Sequence, residues 1–265
     1  MKQKGSYQVE SLSGKKVELD RLSLQANAGL ALEQELLHKS GLTSSMKVLD
    51  LGCGNGIVSN QISKLLKDGE VVGVDRSDEL VNLASQKYRD ATNLSFVKGD
   101  VYALPFQDES FDFVYARFLF QHLVDPLKVL FEIKRVLKPE GVVSLIDVDD
   151  SWLMIHPEHQ TFEQLKSAAA ERQRELGGDR FIGRKLNHYF EQAGFLAFNT
   201  ELRGVSDLDL GMKNFLTITT SFKFQQLHPE QKESFADHYG QMIEDLMEGG
   251  YSLFAGVFNG VAKKQ

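Results

Sequence analysis

Asp50, Asp75, Asp100, Arg117 and Asp147 each stand at or just past the end of a short apolar run. Separated from the first of them by Leu51 lies Gly52-Cys53-Gly54-Asn55-Gly56, with glycine at every second position. Carboxylates in such places can accept hydrogen bonds from sugar hydroxyls and from an amine. Glycines let the backbone close on a ligand with no Cβ in the way. A buried strand that ends in a glycine turn and a helix is a site for a nucleotide cofactor, because the helix offers free N–H groups and a positive dipole end. The spacing here is G-x-G-x-G. The dinucleotide fingerprint G-x-G-x-x-G would put its third glycine where Ile57 stands. Asp75 follows the turn at roughly the 20-residue spacing expected of a ribose-binding carboxylate. His122 and His156 come after the fourth and fifth apolar runs, and an unperturbed imidazole titrates near ~6.5, so both are candidate general bases.

These residues need a scaffold, and the chain supplies strands and helices in alternation. Val48–Leu51, Val71–Asp75, Phe96–Val101, Phe111–Arg117 and a run from about Val142 to Asp147 read as five strands. Helices are expected from Ile57 to about Lys67, after Ser77 as N-cap, and from Asp125-Pro126 with the proline at N1. Alternation of this kind implies a parallel sheet with right-handed crossovers. Leucines at near-helical spacing predict one amphipathic helix over residues 20–39, behind a polar arm. Beyond Asp149 the pattern predicts helices over Pro157–Leu176 and Gly183–Gln192, and two helical stretches within 207–248, parted by His228-Pro229. A sixth strand is expected over Phe195–Arg203 and a seventh over Leu253–Ala262.

Taken together, Val48-Leu49-Asp50-Leu51-Gly52-Cys53-Gly54-Asn55-Gly56 and the four later strand-and-acid segments resemble the class I S-adenosylmethionine-dependent methyltransferases, from about Met46 to Asp149 and more weakly to the C-terminus. The resemblance implies a Rossmann-like α/β sheet of order 3-2-1-4-5-7-6 with the last strand antiparallel. It also implies helical lid insertions at about 151–178 and 207–248, and an N-terminal segment 1–40 that adds a third wall to a methyltransferase domain over 41–265. The implied cofactor is S-adenosyl-L-methionine, with S-adenosyl-L-homocysteine as product. Asp75 would bind the ribose, and Asp100 with the Val101 N–H the adenine. Arg76 and Leu80 would flank that ring. Asp50, Gly52, Cys53, Gly54 and Arg117 would line the methionine end, and Tyr7, Arg21 and Gln25 would close over its carboxylate. Arg135-Val136-Leu137-Lys138-Pro139 is distantly similar to the start of a signature of ubiquinone and menaquinone methyltransferases; Glu140 and Asp147-Val148-Asp149 depart from the rest of it.

A sulfonium methyl is already electrophilic, so the reaction needs an aligned acceptor rather than a protein nucleophile, and positioning alone can supply about 7–11 kcal/mol of the barrier. Arg117-Phe118-Leu119-Phe120 replaces the Asp/Asn-Pro-Pro-aromatic loop of nucleobase methyltransferases, which leaves a small organic acceptor. A formal charge of −7 over 265 residues argues against a nucleic-acid partner. No run is long and apolar enough for a membrane span. The lone cysteine, Cys53, points to a reducing, cytoplasmic location. Asp147, Asp149 and Asp150 could suit magnesium, yet no second set of ligands accompanies them, and no metal is expected. Oligomeric state stays open, a homodimer included. Two other readings compete: an NAD(P)-dependent oxidoreductase, and a non-catalytic S-adenosylmethionine-binding module.

Overall fold

The computed structural model describes residues 15–265. The parallel part of the sheet is built from β1 (Lys47–Leu51), β2 (Glu70–Asp75), β3 (Leu94–Lys98), β4 (Phe111–Arg117) and β5 (Leu137–Val148), lying in the order β3-β2-β1-β4-β5. Beside β5 runs the antiparallel β8 (Ser252–Lys263), and β8 in turn carries β7 (Ala197–Ser206) on its other side. With β8 as the expected seventh strand and β7 as the sixth, this is the expected order. A short β6 (Met154–His156) also pairs with the start of β8, which the apolar pattern did not foretell.

Strand alternation sorts the core into two faces. Leu49, Leu51, Val114 and Ala116 pack with Val129, Leu130 and Ile133 of α5 (Pro126–Val136) and with Leu186 and Phe190 of α7 (Leu186–Gln192). Val48, Phe113 and Tyr115 pack on the other face with Leu36 and Leu37 of α2 (Leu30–Lys39) and Ile62 of α3 (Ile57–Leu65). Local signals hold these helices. The Ser77 hydroxyl accepts from Leu80 N at 3.4 Å and starts α4 (Asp78–Lys87). Asp125 accepts from Lys128 N at 3.0 Å, with Pro126 in the first turn of α5. Parallel register aligns the strand tips: Leu51 is level with Val74 and Asp75 with Lys98, so the turns after β1, β2 and β3 open on one edge.

A third cluster lies off the sheet. Phe162 and Leu165 of α6 (Gln160–Glu175), Phe215 and Leu216 of α9 (Met212–Gln226), and Met242 and Leu246 of α10 (Pro229–Glu248) are buried against one another. The first helix, α1 (Lys15–Ala28), also packs on α9.

Several boundaries differ from the sequence reading. The helix expected over 20–39 is two, α1 and α2, broken at Gly29. There Arg117 Nη2 donates to the Gln25 carbonyl at 2.8 Å, and the Gly29 N–H reaches that same carbonyl only at 3.4 Å. A side chain inserted into the helical ladder is an ordinary cause of such a break. Strand β3 stops at Lys98, short of Gly99 and Asp100. Helix α6 starts at Gln160 rather than Pro157, because Met154, Ile155 and His156 are held extended against β8. Residues 183–185 form a single 3-10 turn before α7. The 207–248 segment holds α8 (Asp207–Leu210), α9 and α10, with the extra break at Gly211, whose φ of 78° disfavours any other residue.

Candidate active site

The turn after β1 folds back on β2. Gly52 N and Cys53 N both donate to the Val74 carbonyl, at 2.8 and 3.0 Å. Gly56 then starts α3 with φ 74°, and a Cβ at that position would stand 2.5 Å from a ring carbon of Phe96. A Cβ on Gly54 would meet nothing within 4 Å, so this backbone faces open space. Asp75 holds the turn from the β2 tip: one oxygen accepts from Gly54 N at 3.0 Å and the other from Ser77 N at 2.9 Å. Burial pushes its carboxyl above the usual range, and these two N–H groups pull the other way. Cys53 is buried, with its thiol pushed far up by desolvation and the nearby Asp50 and Asp75, so it packs rather than reacts.

Beneath the turn, Asp50 accepts from the Ser59 hydroxyl at 2.5 Å. Desolvation raises its carboxyl to about 7; the Ser59 bond opposes this, and the charges of Glu33 and Asp75 add to it. Glu33 comes from α2, yet it is only 4% exposed. One of its oxygens meets the Tyr115 hydroxyl and lies 3.4 Å from Arg117 Nε. The other oxygen is buried with no hydrogen-bond partner among the described residues. A buried carboxylate oxygen left unpaired is costly, and it suits an ammonium. Arg117 also lies over the Phe118 ring, 4.7 Å from its centre. Phe118 itself has φ 52°, a strained value for a bulky residue, held by its N–H bond of 2.7 Å to the Ile146 carbonyl.

Past the tips of β4 and β5 a second polar group assembles. Gln121 N donates to Asp147 at 3.1 Å, and Val148 N donates to its other oxygen at 2.9 Å. Burial raises Asp147 to about 7 against those two bonds. Gln173 Nε2 donates to the Gln121 carbonyl at 2.7 Å and lies 3.3 Å from His122 Nδ1. An amide nitrogen can only donate, so Nδ1 accepts and the imidazole proton sits on Nε2. Burial, then the charges of Arg180, Arg21 and Arg76, push His122 well below its ordinary value. In this arrangement the neutral ring turns its lone pair toward Gln173 and its Nε2–H away from it. Asp149 pairs with Arg184 and Asp150 with Arg180, so Asp147, Asp149 and Asp150 are each engaged separately.

One cavity of about 1250 Å³ joins the two regions. Asp50, Gly52, Cys53, Gly54, Asp75, Arg76, Leu80, Asp100, Val101, Arg117, Arg21, Gln25 and His122 all line it. Asp75 and Asp100 thus face the same space. Tyr7 lies outside the described residues. His156 is brought to another place: β6 carries it along β8, exposed to solvent and outside the cavity lining. Arg21 is engaged by Glu18 through bonds of 2.8 and 2.7 Å and lies over the Phe222 ring. Glu33, Arg180 and Lys223 line the cavity too, and the sequence reading passed over them. Glu33 and Lys223 left a faint signal, as charged residues on otherwise apolar helical stripes with Leu37 and with Leu216 and Leu227. Arg180, in an irregular loop, left none.

A methyltransferase-domain family model matches residues 42–194, which hold the glycine turn and every parallel strand. The chain belongs to that family. It is 34% identical over 161 residues to an uncharacterized methyltransferase of Schizosaccharomyces pombe, a match that covers 58% of each protein. It is 30% identical over 197 residues to a demethylmenaquinone methyltransferase of Staphylococcus aureus, covering 68% of this chain and 81% of that one. The YcgJ protein of Bacillus subtilis shares the fold, with a TM-score of 0.58 at 20% identity over 89% of this chain and 98% of the other. The chain is therefore an S-adenosylmethionine-dependent methyltransferase, with that molecule as its cofactor. Neither the nicotinamide oxidoreductase nor the non-catalytic module finds support in these matches. No described helix is long and apolar enough to cross a membrane.

Proposed function

We propose that the protein transfers the methyl group to a small organic acceptor held above the tips of β4 and β5. The observation that carries this reading is the single cavity, which continues from the glycine turn to Gln121, His122 and Lys223. Its volume of about 1250 Å³ exceeds the ~300–1,000 Å³ of ordinary small-molecule sites, leaving room for a second molecule beside the cofactor. The residues present fit the cofactor: Gly54 leaves an open approach, Asp75 and Asp100 offer carboxylates, and Glu33 has an oxygen in need of a cation. When bound, the cofactor supplies an electrophilic methyl group.

The chain's own residues do the rest. Asp75 would hold the ribose hydroxyls, Asp100 and Val101 the adenine, and Glu33, Asp50 and Arg117 the amino-acid end. His122 would donate from Nε2 to an oxygen of the acceptor and orient it. Helices α1, α6, α8, α9 and α10 would form the lid that excludes water; the separate apolar core of α6, α9 and α10 supports that. The S. aureus relative's name makes a quinone precursor one acceptor worth testing. The lone Cys53, which allows no internal disulfide, supports a cytoplasmic location.

The test is to titrate S-adenosylhomocysteine and NAD(P) calorimetrically, then screen phenols, amines, quinols and carboxylic acids for S-adenosylhomocysteine release. Binding of S-adenosylhomocysteine with turnover on at least one compound is expected. Selective binding of the nicotinamide, or no turnover on any class, would overturn the reading.

A further inference from the structure

The far end of the cavity gathers buried charged side chains. Arg180 donates to both oxygens of Asp150, from Nε at 2.9 Å and Nη2 at 3.0 Å, and from Nη1 to Gln121 at 2.8 Å. Lys223 Nζ, on α9, reaches the same carboxylate at 3.3 Å. Asp150 is 3% exposed, Arg180 7% and Lys223 3%, so all three charges are out of water. One carboxylate thus serves two buried cations. The other charged groups nearby already balance in pairs: Arg21 with Glu18, and Arg184 with Asp149. His122 is neutral here. Asp147, also buried beside Gln121, is raised to about 7 by burial and makes no ion pair with either cation, so Asp150 is the one carboxylate among the described residues that contacts both.

Buried charge without a counterion is expensive, and a group in that position gives up its charge instead. Lys223 is brought close to that point: burial and the Arg180 guanidinium bring it down to about 7, against the pull of Asp150, so a second anion beside it would hold it as an ammonium. An ammonium has three N–H donors. One is directed at Asp150 and one at the Thr219 carbonyl, 3.1 Å away, which leaves a third with no described partner. Arg180 likewise has N–H groups beyond the three it uses. Both side chains line the cavity, beside apolar surface from Phe215, Ile218 and Phe222.

We propose that the methyl acceptor carries a carboxylate, and that Lys223 and Arg180 bind it. This rests on the reading that the cavity above β4 and β5 holds the acceptor. A carboxylate brings a second anion to the two cations at neutral pH, whereas a phenol stays neutral until near its pKa of ~10. Its two oxygens match two donors on adjacent cations. The apolar wall would take the acceptor's hydrocarbon part.

The test uses the full chain saturated with S-adenosylhomocysteine. Calorimetry would compare matched carboxylates and primary amides on benzene, indole, naphthalene and short alkyl scaffolds. At least one carboxylate should bind tenfold or more tightly than its amide. Lys223→Met should bring that ratio within twofold while keeping S-adenosylhomocysteine affinity, which doubles as a folding control. The proposal is overturned if no carboxylate outperforms its amide, or if Lys223→Met leaves the preference intact. The wild-type comparison alone decides if the variant does not fold. Failure to bind S-adenosylhomocysteine would instead sink the methyltransferase reading on which the proposal stands.

Discussion

At the scale of single residues, Asp75 couples the glycine turn to the proposed ribose site, because its carboxylate already orders Gly54 N and Ser77 N. Asp75→Ala removes those two acceptor contacts and the proposed pair to the sugar. Charge-assisted bonds contribute about 1.5–3 kcal/mol each, so affinity for S-adenosylhomocysteine should fall at least tenfold by calorimetry, about 1.4 kcal/mol. Undiminished affinity would place the ribose elsewhere. His122 makes a sharper case, since a donor and a base respond differently to replacement. On the acceptor that the screen identifies, His122→Gln retains an N–H donor and should keep turnover within about tenfold of wild type. His122→Ala should lose about 10²-fold, within the range of positioned proton donors. Equal loss in both variants would restore the base. Cofactor affinity should be unchanged in either.

Among the elements, α6, α9 and α10 share a core of their own, in which Met242 and Leu246 are fully buried. Met242→Ala leaves a cavity there and should cost about 2–5 kcal/mol. Met242 does not line the site cavity, so the loss should be local. Hydrogen exchange should speed up in α6, α9 and α10 while β1 and β4 keep their protection. Uniform loss across the sheet would show that cover and sheet open as one unit. This layer was also the part least legible in the sequence. The β-tip acids and the glycine turn were readable because strand alternation and turn chemistry are local: Ser77, Asp125 and Pro126 mark their helices within a few residues. Two lid features depend on contacts from distant positions. At the Gly29 break in the first helical stretch Arg117 takes the Gln25 carbonyl, and β6 is a strand through its pairing with β8. For the same reason His156 looked like a site residue when counted along the chain. Glu33, Arg180 and Lys223 were hidden because their neighbours come from other segments.

For the molecule as a whole, the buried carboxyls should leave a mark on the pH dependence of folding. Asp147 is 1% exposed, and desolvation raises its carboxyl to about 7 despite the N–H groups of Val148 and Gln121. In the unfolded chain the same group titrates near ~3.9. Between about pH 4 and 7 the native state therefore holds a proton that the unfolded state has released. Native protons exceed unfolded ones, so stability falls as pH rises through this window. Its contribution is complete below about pH 4 and is gone above about 7. Asp147→Asn places a group that cannot ionise in the same site. At pH 5 the variant should be less stable than wild type by about 1–3 kcal/mol, since its amide oxygen still accepts from Gln121 N while its NH2 leaves Val148 N without an acceptor. Between pH 5 and pH 8 it should gain on wild type by about 3 kcal/mol, at about 1.4 kcal/mol for each of the two pH units below the native value of about 7. Urea unfolding of both proteins at the two pH values reads this directly, and every other titrating group, Asp50 included, cancels in the comparison. Parallel curves would mean that Asp147 is already ionised in the native protein, with the two N–H groups outweighing burial. The loop that carries Gln121 and His122 would then be pinned by a charged carboxylate, and the same sheet edge that offers the acceptor its cations would hold one more anion to set against them.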